Sequence, residues 1–141
     1  MPQVKMSENI ASAPADVWAL VSNLSRLGEW LSLHEAWRGE VPELAEGVQL
    51  TGVVSAKGMR NKVTWVVDHY DPPRHISLTG DGVGGTKVSL DMRVTPAGTG
   101  STFDFAVDFS HPALKGPLGS IAGKTIKSDL SKALEKFNAL L

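Results

Sequence analysis

Between residues 48 and 109, apolar side chains occupy every second position in a series of short segments. Successive side chains of a β-strand point to opposite faces, so this period gives each segment one apolar face and one polar face. Such alternation is typical of an antiparallel sheet that packs one face on a core and turns the other to water. The alternating apolar positions are Val48, Leu50, Val54, Val63, Trp65, Val67, Ile76, Leu78, Val88, Leu90, Met92, Val94, Phe103, Phe105, Val107 and Phe109.

The segment before this series changes from a strand period to a helical one. Residues 4–10 alternate between apolar and polar and predict a first strand. Ser12 and Pro14 are helix start signals, and apolar residues then recur at helical spacing up to Leu24. A second short helix is predicted around residues 25–31.

The end of the chain predicts a long amphipathic helix from about Pro117 to Leu140. Its apolar arc comprises Gly119, Ala122, Gly123, Ile126, Leu130, Ala133, Leu134, Phe137 and Leu141. The N-terminal half of that arc is made of small residues, although each glycine costs about 1 kcal/mol relative to alanine inside a helix. Either another backbone approaches closely there, or space is left beneath the helix.

Together these periods predict an α+β fold in one domain of 141 residues, 1–141. A curved antiparallel sheet of about seven strands carries two short helices after the first strand, and the C-terminal helix lies across its concave face. With 14 basic and 15 acidic residues the net charge is -1, so no global field attracts nucleic acid or an anionic membrane. The chain has no cysteine, no apolar run near the roughly 18 residues of a membrane span and no signal-like start, and we expect it to be cytoplasmic.

Several short motifs stand out beyond the apolar periods. They are Ala13-Pro14-Ala15-Asp16-Val17-Trp18, Glu29-Trp30-Leu31, His34, Trp37-Arg38, Lys57-Gly58-Met59, Asn61, Trp65, Tyr70, Pro72-Pro73, Gly80 to Gly85 and Pro112 to Pro117. With the order of the elements, they resemble the START-like or SRPBCC superfamily, whose fold is the helix-grip, over essentially the whole chain. They are similar to an actinobacterial subgroup of polyketide cyclase/dehydrase-like proteins, which includes a mycobacterial protein described as the toxin of a type II toxin–antitoxin pair.

The resemblance implies an elongated apolar cavity between the curved sheet and the last helix. A cavity of that kind binds lipids, polyketides or other apolar molecules. The expected ligand-binding residues are Trp30, His34, Trp37, Trp65, Val67, His69, Leu78, Leu90, Met92, Phe103, Phe105, Ala122, Ile126 and Leu130. The alternative for each apolar member is an ordinary core position, since cores and cavity linings have the same composition.

Two histidines are the polar candidates within this set. His69 continues the inward series of Trp65 and Val67, where it would contact a ligand, or else lie half in solvent at the strand end. His34 would donate to a polar group of a ligand or fasten a loop. His75 and His111 show no spacing typical of paired metal ligands, and no cofactor is expected.

Gly80 to Gly85 satisfy the G-x-G-x-x-G pattern of dinucleotide-binding loops, with Asp104 at about the distance of a ribose-binding acid. Residues 86–90 nevertheless predict a strand, and without a helix N-terminus there is no row of free amides for a pyrophosphate. A glycine-rich hairpin at the cavity rim is the better interpretation.

No catalytic constellation is visible in the sequence. Asp91, Asp104 and Asp108 share the outward parity with Arg93, which favours charge pairing on the wet face. If the protein is an enzyme, it is a metal-free cyclase or dehydrase in which Arg38, Arg60, His34 or His69 polarises a carbonyl. A further hypothesis is a toxin that binds an antitoxin protein. Its macromolecular contact would lie at one of two basic groups, Lys57, Arg60 and Lys62 or Lys124, Lys127, Lys132 and Lys136. The lysines of the last helix are more typical of a solvated face, and nucleic-acid binding is not expected.

Overall fold

The computed structural model of the chain describes the backbone of residues 3–31, 34–39, 41–56, 59–82, 85–110 and 117–141, and their side chains except at residues 3, 55, 56, 59, 117–123, 125 and 126. The elements are β1 (Gln3–Ile10), α1 (Pro14–Val21), a 3₁₀ turn (Leu24–Arg26), α2 (Leu27–Trp30), β2 (His34–Trp37), β3 (Gln49–Ala56), β4 (Met59–Asp71), β5 (His75–Gly82), β6 (Lys87–Ala97), β7 (Gly100–Ser110) and α3 (Pro117–Ala139).

The seven strands form one antiparallel sheet in the order β1-β7-β6-β5-β4-β3-β2. Its register brings the predicted apolar positions to one face, where Leu78 of β5 pairs with Val67 of β4 and with Leu90 of β6. Leu90 in turn lies opposite Val107 of β7. The predicted α+β fold is confirmed, because the period of two places whole rows of apolar side chains on the concave face.

Strand β2 is the element that the alternating period did not locate. His34 pairs with Val54 of β3 and Trp37 with Gly52, and the register shifts between His34 and Ala36. Four residues with such an irregularity are too short to show a period of two, so only six of the seven strands could be placed from the sequence.

The first helix covers one part of the concave face. Pro14 opens α1, and Asp16 stands in its first turn, where a negative charge complements the helix dipole. The buried side chains of α1 are Val17, Leu20 and Val21, which its helical stripe predicted, and Trp18, which that stripe did not include. The helix packs against β6 and β7.

The C-terminal helix α3 lies against β1 and α2. Its described buried side chains are Leu130, Ala133, Leu134 and Phe137, all on the predicted apolar arc. The four predicted surface lysines, Lys124, Lys127, Lys132 and Lys136, are exposed. The predicted cavity depended on the small residues Gly119, Ala122 and Gly123. These residues and Ile126 lie outside the described side chains.

Candidate ligand-binding site

The concave face of the sheet brings seven of the predicted ligand-binding residues together. Trp65, Val67, Leu78, Leu90, Met92, Phe103 and Phe105 are each 3% exposed or less. Trp30 of α2 and Leu130 of α3 cover this face from above and are equally buried. These described side chains therefore form an apolar interior with little exposure to solvent.

Aromatic rings fill the interior beneath the C-terminal half of α3. The ring of Phe137 stacks on Phe103 with centroids 4.5 Å apart. Trp30 meets Phe137 edge-on at 4.9 Å, and it also contacts Phe105 at 5.5 Å. Offset and edge-to-face arrangements at these distances are favourable for aromatic pairs. Trp30, Phe103 and Phe105 thus belong to a packed cluster in this structure, and Phe137, which had not been assigned to the site, is at its centre.

His34 lies in a space made by two glycines. Its Cδ2 atom is 3.7 Å from the point where a Cβ would stand on Gly28 of α2, and its Cε1 atom is 3.2 Å from that point on Gly52 of β3. The Trp37 ring lies beside it, with centroids 4.2 Å apart, and Trp37 Nε1 donates a 2.6 Å hydrogen bond to the carbonyl oxygen of Leu24. The imidazole is therefore held between α2 and β3 with a fixed neighbour.

Burial lowers the pKa of His34 to about 4. The charged imidazolium loses its hydration in this apolar place, so the ring is neutral at physiological pH. Its Nδ1 atom is buried and has no hydrogen-bond partner. A neutral imidazole nitrogen donates or accepts according to its tautomer, so His34 can meet either kind of group.

Trp65 lies over Gly80 on the neighbouring strand. A Cβ on Gly80 would stand 2.9 Å from Trp65 Cε3 and 3.0 Å from Cδ2, so only glycine leaves room for the indole. The Nε1 atoms of Trp65 and Trp30 are buried without a hydrogen-bond acceptor, like Nδ1 of His34. An unpaired buried donor costs about 1–3 kcal/mol, which makes these three nitrogens the most distinctive polar feature of the described interior.

The prediction that His69 faces the interior was wrong. A β-bulge lies between Val67 and His69 and shifts the pairing register with β5 by one residue. His69 consequently pairs with Ser77 and is exposed, and its ring lies 4.5 Å from that of His75. His75 Nε2 is 2.6 Å from Asp91 Oδ1, so these groups form a polar cluster on the outer face. A bulge carries no signal in the alternation itself, because it is one extra residue inside an otherwise regular strand.

The other candidates for carbonyl polarisation also lie outside the interior. Arg38 is exposed, and Arg60 is 73% exposed and forms a 2.6 Å ion pair with Glu35. On the outer face Arg93 lies opposite Asp104 and 3.6 Å from Asp91, as the outward parity predicted. Among the candidates named from the sequence, His34 is the one whose described side chain is buried inside.

The glycine-rich segment joins two strands, as the hairpin interpretation predicted. The amide of Gly82 donates to the carbonyl oxygen of Thr86 at 2.8 Å, and β6 begins at Lys87. Residues 83 and 84 lie outside the described part of the chain. A strand follows the motif in place of the helix whose N-terminal amides would hold a pyrophosphate.

The described residues contain no group of three or more histidine, aspartate or glutamate side chains placed to hold a metal ion. Within the same residues, no helix combines the length and the apolar character needed to cross a membrane.

The architecture is that of a known class of protein folds. The chain is similar to the crystal structure of TTHA0849 from Thermus thermophilus, with a TM-score of 0.79 and 18% sequence identity, over 98% of this chain and 95% of that one. A seven-stranded curved sheet gripping a C-terminal helix is the START-like helix-grip fold. The chain belongs to the family described as polyketide cyclase / dehydrase and lipid transport, whose model matches residues 1–141.

Two mycobacterial relatives match nearly the whole chain. Uncharacterized protein Rv1546 of Mycobacterium tuberculosis (strain ATCC 25618 / H37Rv) is 46% identical over 141 residues, covering 99% of both chains. Toxin Rv0910 of the same strain is 38% identical over 138 residues, covering 97% of this chain and 96% of the relative.

Proposed function

We propose that this protein binds an apolar small molecule between the concave face of the sheet and α3. The observation that carries the proposal is the presence of three buried nitrogens without partners, on Trp30, His34 and Trp65, within an otherwise apolar interior. Small-molecule sites are mostly apolar surfaces with a few polar groups that orient the ligand. The family description and the fold support the same class of function.

In the proposed site, the three nitrogens would orient the ligand through hydrogen bonds. A well-packed core normally satisfies its polar atoms, and tryptophan is favoured where its N–H finds a partner. Here two indoles and one imidazole are kept inside although phenylalanine or leucine would pack without the cost. A ligand that brings hydrogen-bond acceptors would remove that cost on binding.

Titration with Nile red, an uncharged apolar fluorophore, tests the proposal. We expect saturable one-to-one binding, with energy transfer from the buried tryptophans to the dye. Dye affinity should fall in Trp30→Phe or Trp65→Phe and change less in Trp18→Phe, because Trp18 Nε1 is not among the buried nitrogens without partners. Loss of transfer in the two interior variants accompanies the loss of binding. Binding that does not saturate, or that loses no transfer in either interior variant, would contradict the proposal.

A second candidate function rests on the relative named Toxin Rv0910. The relative with higher identity, Rv1546, carries no such name, so the toxin function is the weaker proposal. On that proposal the chain inhibits growth when expressed and binds an antitoxin protein. Triple charge reversal at Lys124, Lys127 and Lys132, all exposed on α3, tests a macromolecular contact.

The two candidates give different results in the same growth assay. Arrest relieved by charge reversal supports a contact through α3, whereas arrest relieved by Ala122→Leu supports a ligand-dependent effect. Absence of any growth effect from the folded protein would contradict the toxin proposal. A cyclase or dehydrase activity would depend on His34, and His34→Gln would abolish substrate turnover.

A further inference from the structure

The two indole N–H groups restrict the chemistry of what they can meet. An indole nitrogen is a donor only, so Trp30 and Trp65 can be satisfied by an acceptor atom but not by a hydroxyl hydrogen or a hydrocarbon. Both side chains are almost fully buried, at 1% and 2% exposure, so bulk water does not accept hydrogen bonds from their N–H groups. An oxygen or nitrogen acceptor on a ligand would therefore satisfy a donor that has no partner in this interior.

The described interior has nothing to balance a negative charge. Its buried polar residues are His34, Thr86 and Ser101, and none of them is a lysine or an arginine. Glu8 lies opposite Phe103 on the inward parity of β1 and is half-buried, so the ionisable residue that β1 contributes to this parity is acidic. Burial of an anion without a counter-charge is costly, and Glu8 supplies no such counter-charge.

His34 does not supply the missing positive charge. Burial holds its pKa at about 4, so the imidazole carries no charge at neutral pH. In this state it adds one more neutral hydrogen-bonding atom, Nδ1, to the two indole donors. These three buried nitrogens are thus polar, and none of them carries a charge at neutral pH.

Resting on the proposed function, we infer that the ligand is an uncharged apolar molecule with at least one acceptor, such as a ketone, quinone, ester or amide, and that the interior rejects anionic ligands such as free fatty acids. The two indole donors favour the acceptor, and the absence of cationic side chains among the described buried residues disfavours the anion.

Three compounds on one three-ring frame test both parts of this inference at about pH 7.5. They are 2-ethylanthraquinone, which is neutral with two acceptors, 2-ethylanthracene, which has none, and anthraquinone-2-carboxylate, which is an anion. Each is used to displace Nile red from the whole protein. We expect the quinone to compete about tenfold or more better than either other compound, since one satisfied hydrogen bond is worth roughly that factor.

Variants connect the preference to the indole donors. Trp30→Phe or Trp65→Phe should lower quinone affinity several-fold toward that of the hydrocarbon and leave hydrocarbon affinity nearly unchanged. Trp18→Phe is the matched control and should leave the preference intact. Thermal unfolding of each variant shows whether it is folded. The ratio of quinone affinity to hydrocarbon affinity is then compared between variants, because a general loss of affinity lowers both values and leaves their ratio unchanged.

The outcomes separate the inference from the proposed function. Hydrocarbon binding equal to quinone binding would overturn the acceptor requirement, and carboxylate binding as tight as the quinone would overturn the exclusion of anions. Nile red binding without displacement by the quinone would also overturn the inference while the proposed function stands. Failure of Nile red and all three compounds to bind would overturn both.

Discussion

The indole of Trp65 occupies the space above Gly80 that a side chain would otherwise fill. A Cβ on Gly80 would stand 2.9 Å from Trp65 Cε3 and would also meet Val63 Cγ1. Gly52 makes room for His34 in the same way, at 3.2 Å from Cε1. Glycines at inward positions of β3 and β5 therefore let two rings of the candidate site lie close to the sheet.

Gly80→Ala should destabilise the fold by about 1–3 kcal/mol, because the added methyl group overlaps a packed indole and Val63. Urea unfolding measures the loss, and the fluorescence of Trp65 should shift. Gly28→Ala is the matched control, since its Cβ would lie 3.4 Å from its nearest neighbour, the His34 carbonyl oxygen. A loss in Gly80→Ala as small as that in the control would contradict close packing of the indole on Gly80.

Ala122→Leu should reduce Nile red affinity by at least several-fold and leave thermal unfolding nearly unchanged, as expected if space lies beneath the N-terminal half of α3. The comparison is Ala133→Leu on the same helix, where Ala133 is 2% exposed in a packed region. That variant should instead lose about 1–3 kcal/mol of stability from overpacking. Similar destabilisation by both changes would contradict a cavity under residue 122.

Stability should fall as the pH is lowered between the ordinary histidine pKa of 6.5 and the lowered pKa of about 4 of His34. In this window the unfolded chain binds a proton that the folded protein does not, so protonation favours unfolding. The contribution between about pH 7 and about pH 5 is about 2 kcal/mol. Urea unfolding at both pH values measures the loss of unfolding free energy between them. That loss should be smaller by about 2 kcal/mol in His34→Gln than in the unsubstituted protein. Identical losses in the two proteins would be inconsistent with a buried neutral imidazole.

Phe137→Ala should destabilise the protein by about 3–5 kcal/mol, since it removes a fully buried ring from the aromatic cluster. Phe137 is 0% exposed and stacks on Phe103. Phe137→Leu keeps most of the volume and should lose much less. Differential scanning calorimetry measures both variants, and a small loss in the alanine variant would mean that Trp30 and Phe103 repack without it.

Most of the fold followed from periods in the sequence. The alternation through Trp65, Leu78 and Leu90 predicted which side chains turn inward, and the helical arc of Leu130 and Phe137 predicted the covering face of α3. These periods are reliable because strand and helix geometry repeat over many residues. Strand β2 was missed because four residues with an irregular register contain no repeat.

The candidate site was predicted less completely than the fold. Trp65 was named from the inward parity of its strand, and Trp30 and His34 from their places near the first helices. All three side chains are buried. His69 was misplaced because a single bulge reversed its face, and the space that Gly52 and Gly80 leave for rings had no signal in the chain. Each of these depends on which residue of a neighbouring element comes opposite, which local sequence does not specify.

What the sequence determined by itself was therefore the set of elements and the apolar face of each, since both depend on spacings along the chain. Only the tertiary structure decided which rings meet and which polar atoms lose their partners. Atoms of α2, β3, β4 and β5 bury these groups, and they come together only when the sheet packs against its helices. The neutral state of His34 and the unpaired nitrogens of Trp30 and Trp65 follow from that burial. Hydration is lost where distant segments pack, so the chemistry of this interior is a property of the assembled fold.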